Sequence, residues 1–222
     1  MKQNKINAIS WIIAIVNIII SLLYILQLPE IVPVHFDLNW VCDNMSSRWI
    51  GMFTAILPLL SCIGYPLIWK HAEEGNARYA GILQFAMSLY FIVIHWDVLF
   101  MMRSGVQIGD QLDSGVFAWI LFGSVGLLYI VMGNYMPVIQ PNSLMGFRLK
   151  WTLENEICWR MTHRFAGKLL VIFGIFYLLF LLLAIILDLS MLCGVVFLFL
   201  IVCIPCVSAT FYAYQHRNDK NV

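Results

Sequence analysis

The chain has 222 residues, of which 62% are hydrophobic and only 11% charged, and its mean hydropathy is +0.86. Soluble domains hold roughly a quarter charged residues, so a water-soluble fold is excluded and an all-α integral membrane protein is expected. The formal net charge of +1 says little about partners; no direct nucleic-acid contact and no cofactor are expected, and the placement of the charges carries more information than their sum.

Six segments are long enough to cross about 30 Å of hydrocarbon as helices: Ala8–Leu28, Trp49–Trp69, Tyr79–Met101, Val116–Met136, Lys168–Leu187 and Met191–Tyr214. The basic start Met1–Lys5 resembles a secretory leader, but the apolar run behind it is too long and lacks a small-residue cleavage site, so it reads as an uncleaved first span. Pro58, Pro66 and Pro205 fall inside spans, where kinks are expected. Asn17, mid-span, reads as interhelical glue. With the N-terminus in the cytoplasm, eleven Lys and Arg lie inside and only Arg48 and Arg103 outside. That bias predicts two cytoplasmic termini. Three stretches follow along one membrane unit: 1–70 (span, external loop, span), 71–136 (two spans) and 137–222 (cytoplasmic segment and last two spans).

The external loop runs Leu28-Pro29-Glu30-Ile31-Val32-Pro33-Val34-His35-Phe36, then Asp37 to Arg48. Its prolines force an extended entry, and Asp, Asn and Ser favour turns after it. Leu28-Pro29, Val32-Pro33, His35-Phe36, Asn39 and Asp43 resemble the extracellular module DUF1648; Trp40 stands where that module has a glycine. His35, Asp37 and Asp43 are the candidate external-face residues. One imidazole and two carboxylates also suit zinc or manganese, with His95 near the same membrane face, although Asp97, two residues on, points to the opposite side of the helix. The simpler account has His35 and Asp43 bonding the loop backbone and His95 pairing with a carboxylate in the bundle; no metal is expected. The second external segment, Met102 to Gly115, is a glycine-rich acidic loop with Arg103, Asp110 and Asp113.

Of the six cysteines only Cys42 and Cys158 lie outside apolar runs, so no disulfide framework is indicated. Cys203-Ile-Pro-Cys206 has CxxC spacing but no basic neighbour to stabilise a thiolate, and reads as buried small side chains.

Between the fourth and fifth spans lies the one long segment that is neither apolar nor a short connector. An irregular lead through Pro141-Asn142 and Gly146-Phe147-Arg148 precedes a helix expected from Thr152, with Thr152 as its N-cap and Glu154 and Glu156 in its first turns. Glu156, Arg160, Arg164 and Lys168 recur every fourth residue. That stripe predicts an amphipathic helix lying on the anionic inner leaflet before the fifth span, with membrane lipid as a partner.

Pro141-Asn142, Gly146-Phe147-Arg148, Trp151-Thr152-Leu153 and then Trp159-Arg160-x-Thr162-His163-Arg164-x-x-Gly167-Lys168 resemble the signature of the SdpI family, in which Leu149-Lys150 is a departure. The resemblance implies a non-enzymatic immunity protein of the bacterial cell membrane that gives resistance to a secreted peptide toxin. It also implies a receptor and signal transducer that holds an ArsR-type autorepressor at the membrane. Arg148, Trp151, Trp159, Thr162, His163 and Arg164 are then the candidates for the cytoplasmic partner, and His35, Asp37 and Asp43 for the toxin-facing side. The competing readings are a metal-dependent membrane enzyme on His35, Asp37, Asp43 and His95, and a small transporter. No HExxH, GxSxG or P-loop pattern supports the first. The second wants mid-bilayer ionisable residues and an internal repeat, whereas the mid-span polar set reads essentially as Asn17.

Overall fold

A computed structural model describes residues 2–37, 39–69, 77–112, 115–142, 146–187 and 189–219. Among the described residues the regular structure is helical apart from one β-hairpin, which departs from the all-α expectation. Five helices among the described residues carry runs long and apolar enough to cross a membrane: α1 (Lys2–Ile25), α4 (Ala77–Met102), α5 (Gly115–Tyr135), α7 (Glu156–Ile186) and α8 (Met191–Gln215). The expected second span is divided. A 3-10 turn (Arg48–Ile50) leads into α2 (Gly51–Ala55), and α3 (Leu57–Trp69) follows after an interruption at Ile56. Pro58 is the physical cause, because it brings no N–H to the Thr54 carbonyl. Pro205, by contrast, sits inside an unbroken α8.

Lipid replaces water around most of these helices, so side-chain burial marks helix–helix contact. On α1 the buried residues Ser10, Ala14, Asn17, Ser21 and Ile25 recur every three or four positions and form one face. That face meets α2, α3 and α4. Asn17 donates to the Ala55 carbonyl (3.5 Å) and accepts from the Trp96 indole (3.0 Å), as interhelical glue should. The buried polar set is larger than the sequence suggests: Ser61 and Ser88 share a 2.6 Å hydrogen bond, and Gln84 donates to Cys62 (3.2 Å). His95 is fully buried and bonds Ser21 (2.6 Å) and Thr54 (2.8 Å), so it ties α1, α2 and α4 together through hydroxyls, not through a carboxylate. Asp97 is buried as well, with Oδ1 unpartnered among the described residues.

In the other half of the bundle α7 lies between α5 and α8. Its axis comes unusually near α5 because glycines face each other. A Cβ on Gly133 would stand 2.7 Å from the Gly167 carbonyl oxygen, and one on Gly167 would stand 2.7 Å from that of Gly133. Such small-residue contacts are how membrane helices gain packing without a hydrophobic drive between them.

The external loop folds as an antiparallel hairpin, β1 (Ile31–Phe36) with β2 (Cys42–Ser47), irregular in register on both sides of His35. Val32 anchors it in a core with Ile25, Leu28, Leu99 and Met102. The Arg48 guanidinium donates to the carbonyls of Leu26 and Leu28 (3.2 and 2.7 Å), satisfying acceptors left over where α1 ends. The acidic loop after α4 joins the hairpin through Cys42 N–H to Asp110 O (2.9 Å) and Gly109 N–H to Cys42 O (2.8 Å). Asp113 lies outside the described residues.

Candidate functional site

The structure separates the candidates into two groups, one on the hairpin and one around the start of α7. On the hairpin, Asp37 closes the turn: its Oδ1 accepts from the N–H groups of Asn39 (2.8 Å) and Val41 (2.9 Å). Trp40 adopts φ +61°, the left-handed conformation that a glycine takes at no steric cost, so the turn survives the replacement. His35 Nδ1 and Asp43 Oδ1 lie 2.6 Å apart on neighbouring strands, their side chains 66% and 48% exposed. They bond each other and not the loop backbone, and they present an imidazole backed by a carboxylate to the outside. Asp37 is committed to the turn and His95 to two hydroxyls; among the described residues no three His, Cys, Asp or Glu side chains are grouped to hold a metal.

The second group is built on α7. The expected single helix from Thr152 is two: α6 (Lys150–Glu154), a break at Asn155, then α7 running without interruption from Glu156 to Ile186. The expected amphipathic helix from Glu156 onward and the fifth span are therefore one continuous rod. Thr152 is not an N-cap. It lies buried in the first turn of α6, where its hydroxyl accepts from Leu149 N–H (2.9 Å) and donates to the Phe147 carbonyl (2.7 Å). Asn155 is the N-cap, its Oδ1 accepting from Ile157 and Cys158 N–H (3.0 and 3.2 Å). Its Nδ2 reaches the carbonyls of Arg217 and Asp219, which ties the chain beyond α8 to the head of α7.

Trp159, Thr162 and His163 are fully buried. The Trp159 and His163 rings stack with centroids 3.9 Å apart. Trp159 Nε1 donates to the Ile139 carbonyl (2.7 Å), fixing the chain as it leaves α5. His163 Nδ1 donates to the Trp159 carbonyl (2.8 Å), and Nε2 accepts from Phe147 N–H (3.0 Å). One nitrogen donates and the other accepts, which specifies the neutral ring with its proton on Nδ1. Gly146, at φ +97°, passes so close that a Cβ there would fall on His163 Nε2. The Gly-Phe-Arg turn and His163 are thus one assembly: the imidazole holds the turn, and the turn holds Arg148 outward, where it is exposed. Trp151 packs edge-on against Tyr214 (5.7 Å) and is half-buried. Arg164 is exposed on the far side of α7.

Of these six candidates, then, Trp159 and His163 hold the loop from inside, Thr162 is buried on the same face of α7, and Arg148, Trp151 and Arg164 are accessible. Asn155, Thr152 and Gly133 were not singled out as site residues. Asn before a Glu-led apolar run is a recognisable N-cap signal, whereas the Gly133 contact depends on a helix distant in sequence.

These two groups coincide with two matches to known families. Residues 12–60 match DUF1648, a domain of unknown function, and residues 138–210 match the SdpI/YfhL protein family. The chain is also 26% identical over 170 residues to the immunity protein SdpI of Bacillus subtilis, a match covering 77% of this chain and 78% of that one. No solved structure matches. Five helices able to span a membrane and this kinship mark a multi-pass protein of the bacterial membrane. The DUF1648 match thus encloses the hairpin, and the SdpI/YfhL match encloses the Trp159–His163 stack.

Proposed function

We propose that this chain is a membrane immunity protein that gives its cell resistance to a secreted antimicrobial peptide, with no enzymatic step. The observation that carries the reading is the match to an immunity protein, which extends over 77% of the chain. In this reading the chain crosses the membrane six times with both termini in the cytoplasm. The helical run from Arg48 to Trp69 would supply the second crossing at about 33 Å, and the eleven-to-two partition of basic residues sets the sense. The hairpin then faces outward, and the exposed His35–Asp43 pair is the polar centre to which a peptide toxin docks.

The turn around Arg148, with Trp151 behind it, faces the cytoplasm and is the surface for an ArsR-type repressor held at the membrane. Trp and Arg are the residues that most often anchor protein interfaces, and His163 and Trp159 keep that surface in shape. The test is survival of a toxin-sensitive host expressing the chain. Survival above the vector control, reduced by His35→Gln with Asp43→Asn, is the expected result. Survival equal to vector refutes the immunity role for the toxin used. Recovery of the repressor in the membrane fraction, lost in Arg148→Gln, tests the signalling arm separately.

A further inference from the structure

The exposed face of α7 changes character along its length. Ile172, Ile175 and Leu179 are about half exposed and belong to the surface that meets acyl chains. The same line, continued toward the start of the helix in steps of one turn, reads Lys168, Arg164 and Arg160, all exposed. Helix length places these cations at a definite depth. The uncharged run 169–186 provides about 27 Å of helix, close to the roughly 30 Å of a hydrocarbon core. Lys168 therefore falls at the hydrocarbon edge, with Arg164 and Arg160 about 6 and 12 Å beyond it, at headgroup level.

Two further observations define what fits there. Arg160 has a long contact to Glu156 (3.9 Å), while Arg164 and Lys168 have no carboxylate within ion-pair distance among the described residues. Between Arg160 and Arg164 lies a notch of about 120 Å³ whose other walls are the apolar Ile157 and Met161. A guanidinium beside an apolar wall, in line with an acyl-chain surface, matches an amphiphile with an anionic head.

We propose that Arg160, Arg164 and Lys168 form a binding site for the phosphate headgroup of an anionic phospholipid of the cytoplasmic leaflet, with Ile157 and Met161 against its glycerol backbone. Arg164 accordingly belongs to the lipid and not to the repressor surface. The site rests on the cytoplasmic placement of this segment proposed above.

The test is native mass spectrometry of the full chain released from nanodiscs of equimolar dioleoylphosphatidylglycerol and dioleoylphosphatidylcholine. The chain should retain phosphatidylglycerol in preference. Arg164→Gln with Lys168→Gln should lower that preference on the order of tenfold, as two lost cations near an anionic surface imply. Lys2→Gln with Lys5→Gln removes the same charge from α1, in the other half of the bundle, and should leave the preference in place. Equal retention of the two lipids by the unaltered chain, or equal loss in both double variants, overturns the site. So does displacement of the bound lipid by millimolar inorganic phosphate, which would point to a simple anion site. Sidedness is read separately by a fluorescent-protein fusion at the C-terminus, bright only in the cytoplasm. A dark fusion would refute the orientation, and a bright one without lipid preference would refute the lipid site alone.

Discussion

Replacing Gly146 by alanine tests the central claim about the SdpI segment, that turn and imidazole are one unit. Two costs are separable. At φ +97° a Cβ is strained whatever surrounds it, for about 1–2 kcal/mol. The same Cβ also lands on His163 Nε2, so the ring must leave the Phe147 N–H that it accepts from. A buried donor left unpaired costs about 1–3 kcal/mol more. The sum, about 2–5 kcal/mol, corresponds to a fall of about 5–15 °C in the thermal midpoint of a chain this size, measured by intrinsic tryptophan fluorescence in detergent. In a His163→Ala background the collision is gone and only the backbone strain remains. There the Gly146→Ala step should cost about 1–2 kcal/mol, giving a coupling of about 1–3 kcal/mol in the double-mutant cycle. Additive losses, with no coupling between positions 146 and 163, would show that the turn and the ring are independent.

Asn155→Ala removes an N-cap and the tether to Arg217 and Asp219. It should cost about 1–2 kcal/mol and raise amide exchange both at the start of α7 and after α8; a change at one site only would contradict the tether. Gly133→Ala places a methyl 2.7 Å from the Gly167 carbonyl oxygen and 2.8 Å from Val171 N. Neither backbone atom yields easily, so a loss of about 1–3 kcal/mol is expected. Gly64→Ala, where nothing lies within 4 Å, should be neutral or stabilising by up to about 1 kcal/mol. Equal effects would show that α5 and α7 are not in close contact. His35→Gln should change the thermal midpoint little, because exposed ion pairs contribute about 0–1 kcal/mol; a large fall would mean that the pair holds the hairpin and does not merely decorate it.

The sequence is most informative where a signal is local. Apolar length marks α1, α4, α5 and α8, and the mid-span amide Asn17 is a hydrogen-bonding bridge between helices. The four-residue stripe of Glu156, Arg160, Arg164 and Lys168 is exposed as its spacing predicts. What lies opposite that stripe is harder to read. Trp159, Thr162 and His163 look like recognition residues by type, yet together with Ala166 and Leu170 they recur on the inner face of the same helix. Their partners, the Ile139 carbonyl and Phe147 N–H, are backbone groups, which leave no mark in a sequence. Ser21, Thr54 and His95 illustrate the same limit: each is unremarkable in its own span, and their network exists only once α1, α2 and α4 are side by side. The hairpin was hidden because prolines and register shifts obscure the alternation of its strands, and its outer pairing comes from a loop some seventy positions downstream.

That outer pairing bears on how any peptide could attach. A two-stranded hairpin has two open flanks, each an invitation to strand addition by a foreign chain. Here the start of the β2 flank is occupied, since Val41 and Cys42 pair with residues 109–111. The flank of β1 carries Pro33, which has no N–H to offer, and its register slips twice around His35. On the proposed reading, a toxin docking at this module would find little continuous backbone edge to pair with. Its recognition would then rest largely on side chains, and so on sequence, which is what telling one peptide from another requires.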